Sequence, residues 1–309
     1  MIEHLKQHPA FNNILQHILA QSPMQRKRIE TFIETQGSDY WMLADLISEA
    51  IAQLLKTKEY NIPYIASAYQ KMCKDLLKEQ IRFRKTGIFH EGSMKEIFES
   101  VYSQEEVMHY YLLGLLLSYL FWPNHYEIFV FFKKHISALP VETHLEVGAG
   151  HGLFTAGVKR QFPQSKTQVI DISKTAIKLS KEILPCFAVN TANIEFIHSD
   201  FLTSHLGQKS FDLIVMGEVL EHVNEPKLFL RKAWNILNNN GTFYFSTCVN
   251  APAIDHIYHF KTIEEIRDLI AECGFIIKQE TVLPTENTPE DEWYEKLIPI
   301  NFAATCSKV

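Results

Sequence analysis

The chain has 309 residues, 46% hydrophobic and 21% charged, the profile of an ordinary globular protein with room for two structural units. A formal net charge of −6 excludes the broad basic field that draws a protein to nucleic acid. Five cysteines, odd in number and with no C-x-x-C pair, argue against both a disulfide framework and a structural zinc site, and point to a reducing compartment.

The N-terminal stretch reads as helical almost throughout. It opens without the charged-then-apolar pattern of a signal peptide, so a cytoplasmic protein is expected. Ser22-Pro23 sets a proline at the start of a helix, and Gly37-Ser38 separates it from an apolar stripe over residues 40–56. Asn61-Ile62-Pro63 opens the next helix, running to about Lys85, with Gly87 and Gly92 bracketing a turn after it. Ser93 to Glu96 and Ser103 to Glu106 both have the form of a capping box, the second preceding a long apolar helix over 107–121. Its apolar run, Leu112 to Trp122, has about half the length a membrane span needs and reads as core. Pro123-Asn124 starts a last helix, where His125 and Tyr126 are lid candidates with Phe89, Tyr110, Tyr111, Tyr119 and Trp122. The basic clusters Arg26-Lys27-Arg28 and Arg82-Phe83-Arg84-Lys85 read as solvated helix faces. Residues 1–138 thus form a helical domain of six or seven helices.

Beyond Pro140 strand and helix alternate, with strands expected at 143–147, 168–171, 194–198, 213–216 and 242–248. This is the signature of a doubly wound α/β domain over 139–309, which binds ligands at the carboxyl ends of its strands. Polar residues collect at those ends. The first strand runs into Glu146-Val147-Gly148-Ala149-Gly150-His151-Gly152. Glycines there let a ligand approach the backbone, and the following helix presents unpaired N–H groups to an anion. A dinucleotide fingerprint would need a small residue where Leu153 stands. Asp171, closing the second strand, suits two ribose hydroxyls; Asp200 after the third suits an exocyclic amine, with Phe201 against an adenine face.

In their order these motifs resemble those of class I S-adenosylmethionine-dependent methyltransferases, over roughly residues 138 to 280. The resemblance implies a Rossmann-like, seven-stranded sheet whose final strand is antiparallel, with 274–277 and 299–303 as candidates for the last two strands. It also implies S-adenosyl-L-methionine as cofactor. Glu146, Gly148, Ala149, Gly150 and Gly152 would hold its methionine moiety, Asp171 and Ile172 its ribose, and Asp200 and Phe201 its adenine, with Glu218 facing the same pocket.

The methyl acceptor needs a base or a metal if it is a hydroxyl. Glu218-Val219-Leu220-Glu221-His222 offers two carboxylates and an imidazole at the ligand edge of the fourth strand. This E-x-x-E-H pattern resembles the O-methyltransferases of ubiquinone biosynthesis and the small-RNA 2′-O-methyltransferases, whose equivalent residues bind a divalent metal. Two roles stay open. Glu218, Glu221, His222 and His256 (or His259) would hold Mg²⁺, Mn²⁺ or Fe²⁺, or His222 would act alone as general base beside Glu218. The acidic charge and the aromatic helices favour a small, partly apolar acceptor, free or carrier-bound, over RNA. O-methylation is the leading expectation. C- or N-methylation of a biosynthetic intermediate and a non-catalytic cofactor-binding or interaction protein are the alternatives.

Overall fold

A computed structural model describes residues 2–58, 60–89, 93–206 and 210–309; the expected turn residue Gly92 lies outside them. The described residues before Pro140 contain eight α-helices: α1 (Ile2–Gln7), α2 (Pro9–Gln21), α3 (Arg26–Glu34), α4 (Ser38–Lys56), α5 (Ile62–Thr86), α6 (Met94–Ile97), α7 (Glu105–Phe121) and α8 (Pro123–Ile136). The local signals act as expected at most ends. The Asn61 side chain accepts from the Tyr64 N–H at the start of α5, and Gly87 closes that helix in the left-handed conformation. Ser93 and Glu96 form a reciprocal capping box on α6.

Ser103 does not cap α7. Residues Phe98–Tyr102 continue α6 as a π-helical turn, and the Ser103 hydroxyl donates back to the Glu99 carbonyl, so the chain is still helical where the cap was expected. Helix α7 is buried on nearly every side, as a helix apolar all round should be, and no helix among the described residues is long and apolar enough to cross a membrane.

The second half has strands β1 (Thr143–Val147), β2 (Lys166–Asp171), β3 (Ile194–His198), β4 (Phe211–Gly217), β5 (Leu237–Val249), β6 (Phe275–Pro284) and β7 (Ile300–Lys308). Between them lie α9 (Leu153–Gln161), α10 (Lys174–Ile183), α11 (Pro226–Ile236) and α12 (Ile263–Glu272). The seven strands form one sheet in the order β3-β2-β1-β4-β5-β7-β6. Strands β1 to β5 pair in parallel, and β7 runs antiparallel to both β5 and β6. This is the doubly wound sheet with an antiparallel final strand expected above. Strand β5 begins earlier than the alternation indicates, at Leu237 opposite Phe211, and a register shift follows before Leu213 meets Thr242.

The period of two decides what each face buries. On β4, Leu213 and Val215 join the core shared with the helical half, while Ile214 and Met216 join the core beneath α11 and α12. By the same alternation β1 sends Leu145 and Val147 to the second face and His144 and Glu146 toward the helices. The first core contains residues of α1, α2, α4, α5, α7 and α8 together with Tyr244 and Ala303 of the sheet, so one apolar mass runs across residue 138. The order reverses between β1 and β4, and their carboxyl ends open the crevice where such sheets bind ligands.

Candidate functional site

Strand β1 ends in a turn whose three glycines, 148, 150 and 152, all have positive φ (79°, 46° and 74°). At Gly148 a side chain is excluded twice, by that φ and because a Cβ would lie 2.7 Å from Val219 Cγ2. The Gly148 N–H is spent on the Ile170 carbonyl and the Gly152 N–H on that of Ala149. The Gly150 N–H points to Asp171 Oδ2 at 3.3 Å, and Asp171 Oδ1 takes the Ser173 N–H at 2.7 Å. Burial still holds the Asp171 carboxyl above its usual range despite these donors.

Glu146 is buried, and its carboxyl accepts from the Thr155 hydroxyl on α9; burial pushes its pKa well up. After β3, Asp200 Oδ1 accepts the Leu202 N–H at 2.7 Å. Phe201 is buried against Phe229, with the Lys232 ammonium 5.0 Å above its ring.

After β4 the chain passes through Glu218, a non-glycine residue at φ 53°, a conformation that costs energy and gathers at functional sites. The Asn301 amide of β7 donates to Glu218 Oε2 at 3.3 Å, and Asn301 is in turn bonded to Asn124 of α8. Glu218 Oε1 is buried without a partner. Glu221 is fully buried, with the Thr247 hydroxyl on Oε2 at 2.7 Å and the Cys248 thiol 3.9 Å from Oε1. Burial, then the Glu218 charge, pushes the Glu221 carboxyl well above the carboxylate range.

Such a carboxyl is protonated in the folded chain more readily than in the unfolded one. Its stabilising contribution is therefore full below the ordinary glutamate pKa and is lost as pH rises through the elevated one. Glu221→Gln should flatten the decline in melting temperature from pH 5 to pH 8.5, and should melt above the parent at the alkaline end. A variant as pH-dependent as the parent would show that Glu221 does not carry this linkage.

His222 sits beside these carboxyls. Its Nδ1 lies 3.1 Å from the Asp255 carbonyl oxygen and 3.3 Å from Asp255 Oδ2. Both are acceptors, so Nδ1 carries the proton and Nε2 the lone pair of the neutral ring. Asp255 is buried and takes the Tyr111 hydroxyl at 3.2 Å and the Tyr102 hydroxyl at 3.4 Å. Tyr102 OH also stands 3.1 Å from His222 Nδ1, and the Tyr102 carbonyl accepts from the Ser173 hydroxyl beside Asp171.

These groups line one cavity of about 750 Å³, within the usual range for a small-molecule site. Its wall includes Glu146, Gly148, Ala149, Gly150, Asp171, Ile172, Asp200, Phe201, Glu218 and His222, with Tyr102, Tyr111, Tyr119, Trp122 and His125 from the helical half. Gly152 turns the chain into α9 and does not reach the wall.

Several expectations shift. Tyr110 bonds Asp75, Tyr126 packs on Phe32 and Tyr40, and Phe89 stacks on His259 at 4.2 Å, so these three are core residues and not lid. His259 is held on Asn250 and turned away from the cavity, which leaves His256 as the later histidine of the site. The four expected metal ligands do not converge as one set. Donor atoms within 4.8 Å of one another are those of Glu221, Cys248 and His256, and separately of His222, Asp255 and His256; Glu218 belongs to neither group. The physical reason is that Thr247 fixes Glu221 toward Cys248, while Asp255 fixes His222 on the other side. Arg28 and Arg84, expected on solvated faces, stand on the cavity wall.

Tyr102, Tyr111, Asp255, Asn124 and Asn301 complete the site. Asp255 lies next to the expected His256, but only its contact across the fold gives it a partner.

A cationic sulfonium cofactor fits what is present. Glu218 has an orphaned carboxyl oxygen in the wall, Gly148 leaves no room for a side chain, and a Cβ on Gly150 would meet nothing closer than 3.8 Å. Residues 145–243 match the family model described as a methyltransferase domain. The malonyl-[acyl-carrier protein] O-methyltransferase 1 of Ilyobacter polytropus is 29% identical over 34% of this chain and 38% of its own length. The mitochondrial ubiquinone biosynthesis O-methyltransferase of Saccharomyces cerevisiae is 31% identical over 42% and 40%. The chain thus spans about two fifths of the length of these curated relatives. Among solved structures, the N-methyltransferase NodS from Bradyrhizobium japonicum WM9, in complex with S-adenosyl-L-homocysteine, aligns with 60% of this chain and 88% of its own, at 18% identity and a TM-score of 0.45. The family-model match spans strands β1 to β4, most of β5 and the turns after β1 to β4, and with these relatives it supports a class I S-adenosylmethionine-dependent methyltransferase domain over residues 145–243.

Proposed function

We propose that the protein transfers a methyl group from S-adenosylmethionine to a hydroxyl of a small acceptor enclosed between the helical half and the sheet edge, with His222 as general base. One observation carries this reading: Asp255 takes the Nδ1 proton of His222, so that the cavity-lining imidazole keeps Nε2 as its basic atom. Glu146 and the glycine turn would hold the amino-acid end of the cofactor, Asp171 its ribose, and Asp200 and Phe201 its adenine. When bound, the cofactor supplies an electrophilic methyl group on a sulfonium.

The residues of the chain do the remaining work. The wall aligns the acceptor oxygen, and positioning of this kind can supply several kcal/mol of the barrier, on the order of 7–11 in favourable cases. His222 Nε2 takes the hydroxyl proton as the oxygen becomes bonded to carbon, and Asp255 stabilises the imidazolium that results. Tyr102 and Tyr111 hold Asp255, and the aromatic cover excludes water that would compete for the methyl group.

The metal role weighed for Glu218, Glu221, His222 and His256 loses support because those donors fall into two separate groups. An amine acceptor is the second reading, favoured by the Glu218 carboxyl in the wall, whose unpartnered Oε1 suits a cationic product.

The test is release of S-adenosylhomocysteine by the full-length protein over a panel of phenols, aliphatic alcohols and amines, alongside calorimetry of S-adenosylhomocysteine binding. Turnover with hydroxyl acceptors, unchanged after treatment with a chelator, is expected. Turnover confined to amines would replace the acceptor class. Failure to bind S-adenosylhomocysteine would end the reading.

A further inference from the structure

The exposed residues of the cavity wall fall in two groups. Asn224, Glu225 and Leu228 lie on the side of Phe201 and Phe229. Arg28 of α3, Leu77 and Arg84 of α5, and Glu286 after β6 form the other. The charge of the wall is divided accordingly. Arg28 and Arg84, the two guanidinium groups of the wall among the described residues, belong to the second exposed group, while Glu146 and Asp255 are buried and Glu218 is half-buried with its Oε1 out of solvent.

Among the described residues Arg28 has no carboxylate partner, whereas Arg84 donates to Glu286. Gln80, one turn before Arg84 on α5, also lines the wall, and its Nε2 is buried with no hydrogen-bond partner. An amide donor left in that state is destabilising, and an oxygen acceptor on a ligand would relieve it. All three groups are donors. The same wall carries apolar Leu76, Met108 and Leu115, half-buried or buried, from α5 and α7.

We propose that this opening admits the acceptor, and that the acceptor carries an anionic group, a carboxylate or phosphate, separated by an apolar segment from the atom that is methylated. The inference rests on the methyl-transfer reading of the inner end. Orientation follows from charge. An anion placed inside would face buried carboxyls, and placed at the mouth it meets Arg28, Gln80 and Arg84, with Glu286 giving up part of its hold on Arg84.

The mouth is tested without knowledge of the true acceptor. Binding of dodecanoate, dodecyl phosphate, dodecanol and dodecyltrimethylammonium to the full-length protein is measured by calorimetry, below the concentrations at which they form micelles. Both anions should bind about tenfold or more tightly than dodecanol, the span of one charge-assisted hydrogen bond. The tighter of the two tells carboxylate from phosphate as the natural group. The double variant Arg28→Gln, Arg84→Gln should erase that advantage while dodecanol binds as before, and Gln80→Leu should erase part of it. S-adenosylhomocysteine affinity should be the same in all variants. Equal binding of dodecanol and the anions, tightest binding of the ammonium, or an anion advantage that survives in the double variant would overturn the proposal. If anion preference holds but S-adenosylhomocysteine does not bind, the mouth stands and the methyl-transfer reading falls.

Discussion

Replacing His222 with alanine should lower kcat by roughly 10²- to 10⁴-fold, the usual contribution of a positioned general base, while S-adenosylhomocysteine binds as in the parent. The ring lines the cavity, and its hydrogen bonds run to Tyr102 and Asp255 and not to the glycine turn, so the two readouts should separate. Its partner has a graded role. In Asp255→Asn the side chain no longer carries the charge that stabilises the imidazolium, yet the carbonyl of residue 255 still accepts from Nδ1 at 3.1 Å and holds the tautomer. A loss of about one to two orders of magnitude is therefore expected, short of the roughly 10⁴-fold seen where an aspartate alone fixes the tautomer of a catalytic histidine. Tyr102→Phe should cost less again. His222→Ala with parental kcat would refute the base assignment.

The second large effect is expected at Asp171. Alanine there should weaken S-adenosylhomocysteine binding by about 10² to 10⁴, the loss of two hydrogen bonds to a charged acceptor at roughly 1.5–3 kcal/mol each. The carboxylate also orders the site before any ligand arrives, because it ties the Gly150 N–H of one turn to the Ser173 N–H of the next. Asp171→Asn retains one acceptor oxygen for Ser173, and calorimetry should place it between the parent and Asp171→Ala. A melting curve close to the parent for Asp171→Asn would separate lost affinity from lost folding. Near-parental affinity in Asp171→Ala would remove Asp171 from the cofactor site.

The parts of the molecule that were legible in the sequence are those whose causes are local. Strand β1 announces itself through alternation, β4 through the apolar run Leu213 to Met216, α5 through Asn61, Pro63 and Gly87, and the glycine turn through its own spacing. The misread places have causes that a short window does not contain. Ser103 has the composition of a cap but sits at the end of a π-helical turn, where its hydroxyl finds the carbonyl four residues back. Strand β5 is expected only from residue 242, yet it begins at Leu237, which pairs with Phe211 of β4 ahead of the register shift. In the site, Asp171 and Asp200 follow from their places at strand ends. Tyr102 does not, because its meaning lies in bonds to residues 120 and 153 positions away. The expected metal set failed for a related reason: adjacency in Glu221-His222 brings the two side chains into neighbouring but different polar clusters.

Asp255 belongs to the sheet-bearing half, but the hydroxyls that hold it come from Tyr102 and Tyr111 in the helical half. The cover over the acceptor is therefore not an interchangeable part. A lineage that remodels those helices to suit a new acceptor can change Leu76, Met108 or Leu115 freely, whereas the two tyrosines are inherited with the chemistry. Met108, Tyr111 and Leu115 stand at neighbouring turns of α7, so one helix carries both the wall and a hold on Asp255.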